Sequence, residues 1–285
     1  MLGRKIYPLF EPESGGQVNA ELERRIQRLE AGDTDDGRAD YKSGKGFRAR
    51  ARHKGGGRSE FHGKGRGRSG ASRQQDRYRP LGRPEVLKVL QSQDMLPAIT
   101  FIFSRAGCDG ALYQCLRSRM VLTSQEEAQQ IKEIVDAGVE GIPEEDLQVL
   151  DFKRWREALS RGFAAHHAGM LPAFRHIVED LFVRGLVRAV FATETLALGI
   201  NMPARTVVLE KLIKFNGEAH VDLTPGQYTQ LTGRAGRRGI DTLGNAVVQW
   251  APAMDPRQVA GLASTRTYPL ISTFAPGYNM AINLL

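Results

Sequence analysis

Short apolar runs alternate with amphipathic segments from residue 84 onwards, and this alternation predicts the fold. Residues 98–103 are apolar at nearly every position, as expected of a parallel strand that is buried on both faces. The same texture predicts further strands at 163–166, 187–191, 206–209 and 246–249. Apolar positions at helical spacing predict helices that begin at Pro84 and after Ser104, and others at 123–137, 144–160, 171–184 and 225–231.

Strands that alternate with helices in this way are typical of an α/β domain with a doubly wound parallel sheet. Ligands of such sheets bind outside the carboxyl ends of the strands. We therefore expect functional side chains in the loops that follow Phe103, His166, Phe191 and Leu209.

This domain is predicted to span residues 84–252. The pattern of apolar and polar residues differs on either side of it. In residues 1–37, Asn19 is expected to cap a helix with apolar positions at helical spacing. A further helix is predicted to start near Asp255, and with it a new unit over residues 253–285.

The formal net charge of +8 comes from one segment, residues 38–83. This basic segment holds 15 Lys and Arg against three Asp and Glu, a net charge of +12, whereas the other residues have 25 basic and 29 acidic side chains, a net charge of −4. It also holds ten glycines and almost no aliphatic residues, so it cannot bury enough apolar surface to order itself, and we predict a disordered linker. Its Gly-Lys/Arg run at 63–68 is typical of tails that follow nucleic-acid backbones, but a solvated spacer fits equally well.

The overall composition excludes several classes of protein. With 41% hydrophobic and 25% charged residues among 285, the chain is neither collagen-like nor fully disordered. It has no apolar run of about 18 residues and no signal-peptide core, so we expect no membrane partner. Two cysteines, Cys108 and Cys115, cannot form a disulfide framework and indicate a reducing, cytoplasmic compartment.

The strongest candidate for chemistry is the segment 230–239, QLTGRAGRRG. Arg234 and Arg237 are separated by small residues and can project the same way from the end of a helix. Planar guanidinium groups suit the oxygens of a transferring phosphoryl group. An exposed basic helix end is the alternative interpretation of these two residues alone.

Polar residues that follow predicted strands are the second group of candidates. Thr193 follows one strand, and Ser104, a candidate helix cap, precedes Arg105 after another. His166 and His167 end a third strand, but neighbouring strand residues point to opposite faces and no third ligand accompanies them. We therefore predict no metal site, with one histidine buried and the other facing the cleft.

In this order, the segments resemble motifs IV to VI of superfamily 2 helicases and are similar to their second RecA-like domain. The segments that resemble the superkiller-type, exosome-associated branch are 166–170 (HHAGM), 192–203 (ATETLALGINMP), 214–217 (KFNG), 223–228 (LTPGQY) and the arginine motif 230–239. The resemblance implies a RecA-like, P-loop NTPase type of α/β fold and an ATP-dependent nucleic-acid helicase.

The resemblance also implies roles for individual residues around ATP. Arg234 and Arg237 would be arginine fingers for the γ-phosphate, and Gln230 would couple the site to the neighbouring domain. Gly199 and Asn201 would line the nucleotide side of the cleft.

By the same resemblance, four residues would contact the nucleic-acid backbone: Ser104, Arg105, His167 and Thr193. The related DNA-repair branch usually carries proline where this chain has Arg238, which favours RNA as the substrate.

The other half of a helicase motor is not encoded in these residues. Helicases of this family close two RecA-like domains over one ATP with Mg²⁺, and the first domain carries a GxxxxGK[ST] phosphate loop and a DExH box. Neither motif occurs in this sequence. We therefore expect the chain to be part of a larger helicase and inactive alone, with residues 1–37 ending the first RecA-like domain, which would hold most of the metal, and residues 253–285 opening a helical or winged-helix domain.

Two other functions remain open. The protein could be a DNA helicase of the same superfamily, or a non-catalytic module that binds nucleic acid through its basic segment. The second alternative predicts an affinity that resides in residues 38–83 and falls steeply with salt.

Overall fold

A computed structural model describes residues 1–12, 16–31, 80–197 and 202–265 of the chain. Most of the basic segment lies outside these residues. The prediction that this segment is disordered therefore concerns residues that the structure does not describe. Gly199 and Asn201 also lie outside the described residues, as do residues 266–285.

Five parallel strands form the central sheet: β1 (Ala98–Phe101), β2 (Phe163–His166), β3 (Ala189–Ala192), β4 (Thr206–Leu209) and β7 (Asn245–Val248). Their order is β2-β3-β1-β4-β7, and every neighbouring pair is parallel. The predicted α/β fold with a doubly wound parallel sheet is confirmed.

Helices cover both faces of the sheet, since alternate strand residues enter two separate cores. Ile99 and Phe101 of β1 join one core, whereas Ala98 joins the other, together with Phe191 of β3. The first face is covered mainly by α4 (Gln125–Gly138), α6 (Phe152–Ser160), α7 (Pro172–Val183), α8 (Pro225–Thr232) and α9 (Pro256–Ser264). The second is covered by α2 (Arg83–Ser92) and α3 (Arg105–Arg117).

Two predicted elements differ from the structure. The helix predicted at 144–160 is two helices, α5 (Glu144–Val149) and α6, because Asp151 adopts a left-handed conformation with φ of 53° between them. The first strand ends at Phe101 instead of residue 103, since the chain turns there to present Ser104 as the cap of α3.

A two-stranded antiparallel hairpin, β5 (Ile213–Phe215) and β6 (His220–Asp222), was not predicted. Its strands are only three residues long and mostly exposed, so they lack the apolar run that marks the other strands. The turn is closed by Asn216, whose side-chain oxygen accepts hydrogen bonds from the backbone N–H groups of Glu218 and Ala219, while Gly217 has φ of 109°.

The first helix, α1 (Ala20–Glu30), packs beside the end of the sheet. Asn19 caps it by accepting hydrogen bonds from two backbone N–H groups, as predicted. Leu22 and Ile26 pack with Trp250, which follows β7. The division of the chain at residues 37, 83 and 252 stays a prediction.

The two cysteines are unpaired and buried in the second core. Burial raises the pKa of each thiol, Cys108 and Cys115, to about 12, so both are protonated and unreactive at neutral pH. Among the described helices, none is long and apolar enough to cross a lipid bilayer.

Replacing Phe191 by alanine should lower the free energy of unfolding of the purified chain by about 3–5 kcal/mol, because the ring is 1% exposed in the centre of the sheet and its loss leaves a cavity. Val183→Ala is the control, because that side chain is 70% exposed and its change should fall within about 0.5 kcal/mol. Urea unfolding measures both variants. Equal losses would contradict the assignment of Phe191 to the core.

Candidate functional site

The arginine motif forms a loop that is tied to the chain entering β4. The backbone N–H of Ala204 donates to the carbonyl of Arg234 at 2.9 Å, and the N–H of Gly236 donates to the carbonyl of Ala204 at 2.7 Å. These two bonds make a β-bridge between Ala204 and Ala235. The loop therefore continues the hydrogen bonding of the sheet just before the amino end of β4.

Gly244 packs against the same loop from the other side. A Cβ atom on Gly244 would lie 2.5 Å from the carbonyl of Ala235 and 2.6 Å from the backbone nitrogen of Gly236. Only glycine fits this close approach of two backbones. The arginine loop is thus held between the segment before β4 and the residue before β7.

Arg234 and Arg237 both follow the end of α8 and have different partners. Arg234 donates from Nη2 to the backbone carbonyl of Ala197 at 2.6 Å. Arg237 forms a two-point ion pair with Asp241, with Nε and Nη2 each 2.8 Å from a carboxylate oxygen. The expectation that both arginines project alike from a helix end needs correction, because α8 ends at Thr232 and Gly236 turns the chain between them with φ of 91°.

The charged residues around Arg237 lie at the amino ends of the strands. Arg205 directly precedes β4, and its Nη1 donates to Asp94 in the loop before β1 at 2.7 Å. The Nε of Arg205 lies 3.7 Å from Asp241. The arginine motif is thus anchored before β4 and β7, away from the loops after strands in which functional side chains were expected.

The carboxyl ends of the strands hold most of the predicted nucleic-acid residues. Ser104 is exposed and caps α3, with its hydroxyl accepting from the backbone N–H of Gly107 at 3.2 Å. Arg105 follows it and is exposed. Thr193 is half-buried, and its N–H donates to the carbonyl of His166 at 3.3 Å, which joins the loops after β2 and β3.

A cleft of about 920 Å³ opens beside Ser104. It runs between the end of β1, the segment after β4 and the hairpin, and its lining includes Lys211, Lys214 and His220. Arg83 and Glu210 form a two-point ion pair in its wall, with N–O distances of 2.6 and 3.0 Å.

Both histidines of the pair are buried, which corrects the prediction that one faces the cleft. His166 is 2% exposed, and its Nε2 lies 2.8 Å from Glu179; burial lowers its pKa below the usual value, so the neutral ring is favoured. His167 is 6% exposed, and its Nε2 lies 3.0 Å from Asp109 of α3. The reason is that α3 and α7 each bring a carboxylate to one ring. Within the parts of the chain that the structure describes, no three His, Cys, Asp or Glu side chains are grouped to hold a metal ion.

The loop between His167 and α7 packs closely on Arg105. A Cβ atom on Gly169 would lie 3.2 Å from Nδ1 of His167 and 3.3 Å from Cδ of Arg105. The structure thus brings Arg105 and His167 together, and it places Ser104 and Thr193 on the same edge of the sheet. Gln230 is exposed on α8.

Sequence reasoning missed two ion pairs that hold basic residues. Asp241 pairs with Arg237, and Glu194 accepts a hydrogen bond from Nζ of Lys214 at 2.7 Å. The spacing of four residues between Arg237 and Asp241 was the available signal for the first pair. No local signal marks the second pair, because its members are 20 positions apart.

Comparison with known proteins identifies a helicase domain. Residues 139–239 match the family described as "Helicase conserved C-terminal domain". The whole chain is 56% identical to "Probable helicase HelY" of Mycobacterium tuberculosis. Over 70% of its length, it is 35% identical to "Exosome RNA helicase MTR4" of Homo sapiens, and over 71% it is 35% identical to "Antiviral helicase SKI2" of Saccharomyces cerevisiae.

These relatives are much longer than the chain. It spans 29% of the length of the HelY protein, 19% of MTR4 and 16% of SKI2. The matched family region contains the arginine motif, His167 and Thr193, whereas Ser104 and Arg105 precede it.

Replacing Gly244 by alanine should lower the free energy of unfolding of the purified chain by about 1–3 kcal/mol, because the new methyl group overlaps the backbone of the arginine loop. Gly110→Ala is the matched control, since beyond the adjoining backbone of α3 no heavy atom lies within 4 Å of its Cβ position. That change should be neutral or stabilising by up to about 1 kcal/mol. Urea unfolding of both variants tests the packing, which a neutral Gly244→Ala would contradict.

Proposed function

This chain belongs to the superkiller-type branch of helicases through its conserved C-terminal domain, and we propose that it acts as the second RecA-like domain of an ATP-dependent helicase. In this proposal the longer protein couples ATP hydrolysis to movement along a nucleic-acid strand and to unwinding. The chain contributes the arginine half of the ATP site and part of the nucleic-acid track, and it is inactive alone.

The observation that carries the proposal is the placement of two polar groups on one sheet. The loop with Arg234 and Arg237 is fixed by the main chain before β4, whereas Ser104, Arg105 and Thr193 lie after β1 and β3. Because β4 pairs with β1, and β1 with β3, both groups are attached to the same hydrogen-bonded ladder. A helicase that couples ATP hydrolysis to movement needs such a rigid connection between its ATP site and its nucleic-acid contacts.

We assign Arg234 and Arg237 to the phosphates of ATP. Their guanidinium groups would neutralise the charge that develops on a transferring phosphoryl group. Gln230, exposed one turn earlier on α8, is assigned to the contact with the first RecA-like domain. Gly199 and Asn201 stay predicted contacts on the nucleotide side of the cleft, outside the described residues.

ATP would bring Mg²⁺ with it and supply the bond whose hydrolysis drives movement. The described residues fit the phosphates, through two half-buried arginines, better than they fit the metal, since no acidic cluster accompanies them. We therefore propose that the first RecA-like domain holds most of the metal.

The nucleic-acid track is proposed to run along the carboxyl ends of the strands. We propose that Ser104, Arg105 and Thr193 contact phosphates, because a helix N-terminus and a hydroxyl group are good partners for an anion. His167 is too buried to meet a phosphate in this conformation, and we assign it to holding the loop against α3 through Asp109. We propose a cytoplasmic location, since both cysteines are free and buried.

RNA is the proposed substrate. The names of two relatives, "Exosome RNA helicase MTR4" and "DExH-box ATP-dependent RNA helicase DExH10", support it, and so does the exposed Arg238 in place of the proline typical of the DNA-repair branch. A DNA helicase is the alternative. A basic binding module centred on residues 38–83 is the other alternative.

Arg237→Gln in the full-length protein should lower RNA-stimulated ATP turnover by about 10³-fold or more, because the variant removes the charge of an arginine finger. Glutamine retains an N–H donor for Asp241, so the loop keeps a hydrogen bond. Arg184→Gln, an exposed arginine at the end of α7, should leave turnover unchanged. Turnover that survives in Arg237→Gln would contradict the role of the arginine motif.

The full-length protein should unwind an RNA duplex with a 3′ overhang faster than a DNA duplex of the same sequence, with ATP and Mg²⁺ present. Strand separation on matched substrates measures the preference. Faster unwinding of DNA would favour the alternative substrate.

Deleting residues 38–79 from the full-length protein tests the alternative of a basic binding module. If these residues are a passive linker, the deletion leaves unwinding unchanged. If they bind the nucleic acid, the deletion abolishes unwinding.

A further inference from the structure

Asp241 is an almost completely buried carboxylate on the arginine loop, with its side chain 3% exposed. It accepts three hydrogen bonds from one residue. Nε and Nη2 of Arg237 each donate at 2.8 Å, and the backbone N–H of Arg237 donates at 3.0 Å. A carboxylate this buried is stable only when hydrogen bonds satisfy its oxygen atoms. The position of Asp241 relative to Arg237 is therefore closely defined.

The backbone closes the same turn in the opposite direction. The N–H of Asp241 donates to the carbonyl of Arg237 at 2.9 Å, and the N–H of Ile240 donates to the same carbonyl at 3.0 Å. Gly239, with φ of 77°, allows the chain to turn within these bonds. Main chain and side chain together lock residues 237 and 241 into one unit.

A second arginine, Arg205, lies near the carboxylate without a hydrogen bond to it. Nε of Arg205 lies 3.7 Å from Asp241, and Arg205 is itself paired with Asp94, whose side chain is 90% exposed. The Arg237 hydrogen bonds, with the nearby charge of Arg205, lower the pKa of Asp241 to about 2, and the pKa of Arg237 is raised by the same pair. Both groups are therefore ionised throughout the range in which enzymes work.

Among the residues that the structure describes, Asp241 is the only acceptor of the Arg237 side chain, so one side of the guanidinium group is left available. An arginine has five N–H donors in a planar fork. Asp241 occupies the Nε and one Nη2 hydrogen, so both hydrogens of Nη1 and the second hydrogen of Nη2 face away from the carboxylate. Those three hydrogens form a ready fork for phosphate oxygens.

We propose that Asp241 is a positioning residue, which holds Arg237 with its Nη1 edge directed towards the phosphoryl group that is transferred. This inference rests on the proposed function of the arginine motif and adds the residue that orients it. A free arginine side chain would lose considerable rotamer entropy on meeting the phosphate, whereas this one is ordered beforehand. The contribution belongs to the transition state and should appear in kcat.

A double-mutant cycle in the full-length protein tests the inference, with RNA-stimulated ATP turnover as the readout. Asp241→Asn keeps the shape and removes the charge, and kcat should fall about 10- to 100-fold with KM nearly unchanged. In the Arg237→Gln background the same change should lower kcat no further, because Asp241 acts through Arg237. Asp241→Glu restores the charge and should recover part of kcat.

Asp94→Asn is the control, because it removes a carboxylate from the exposed end of the same cluster, and kcat should stay the same. Thermal unfolding of every variant measures folding, and if Asp241→Asn does not fold, Asp241→Glu with and without Arg237→Gln completes the cycle. An equal fall in both backgrounds would mean a purely structural role and overturn the inference. A rise in kcat would overturn it too, because Asp241 would then compete with the phosphate.

Failure of the proposed function gives a different result. If Arg237→Gln alone leaves turnover intact, the arginine has no role in hydrolysis and both proposals fall. If Arg237→Gln lowers turnover to a measurable residual rate and the two changes are additive, only the role of Asp241 falls.

Discussion

The burial of the sheet on both faces is the constraint on which the rest of the structure depends. Strands β1 to β4 are each four residues long and buried throughout, so alternate side chains must find partners in two different cores. Helices therefore cover both faces, and no polar residue can function there without heavy desolvation. Only the ends of the strands remain for chemistry, and the arginine loop and Ser104, Arg105 and Thr193 lie at those ends.

The arginine motif uses the amino ends, where it is held by backbone contacts. The bridge between Ala204 and Ala235 and the close approach of Gly244 fix its path without any long side chain. The side chains of Arg234 and Arg237 then find acceptors within the domain, Ala197 and Asp241. The main chain therefore sets the position of the loop, whereas the acceptor of each guanidinium group sets its orientation.

The parallel strands could be predicted from the sequence because burial on both faces leaves continuous apolar runs. The hairpin at residues 213–222 could not, since its short exposed strands carry no such run and its turn depends on the side chain of Asn216. The arginines were found as candidates from their spacing, but their location at the amino ends depends on Ala204, about 30 residues away in sequence. Burial of His167 depends likewise on Asp109 from another helix, which no local pattern encodes.

Strand β4 joins the arginine loop to the cleft by covalent chain. Ala204 lies two residues before it and holds the arginine loop, while Glu210 follows it and forms the wall of the cleft with Arg83. A strand of four residues spans about 13 Å, and this one is hydrogen-bonded on both sides, by β1 and β7. Its length is therefore fixed, and so is its register with both neighbouring strands. The arginine loop and the cleft are therefore parts of one sheet, and a change in the distance between them would require β4 to break its hydrogen bonds with both neighbours.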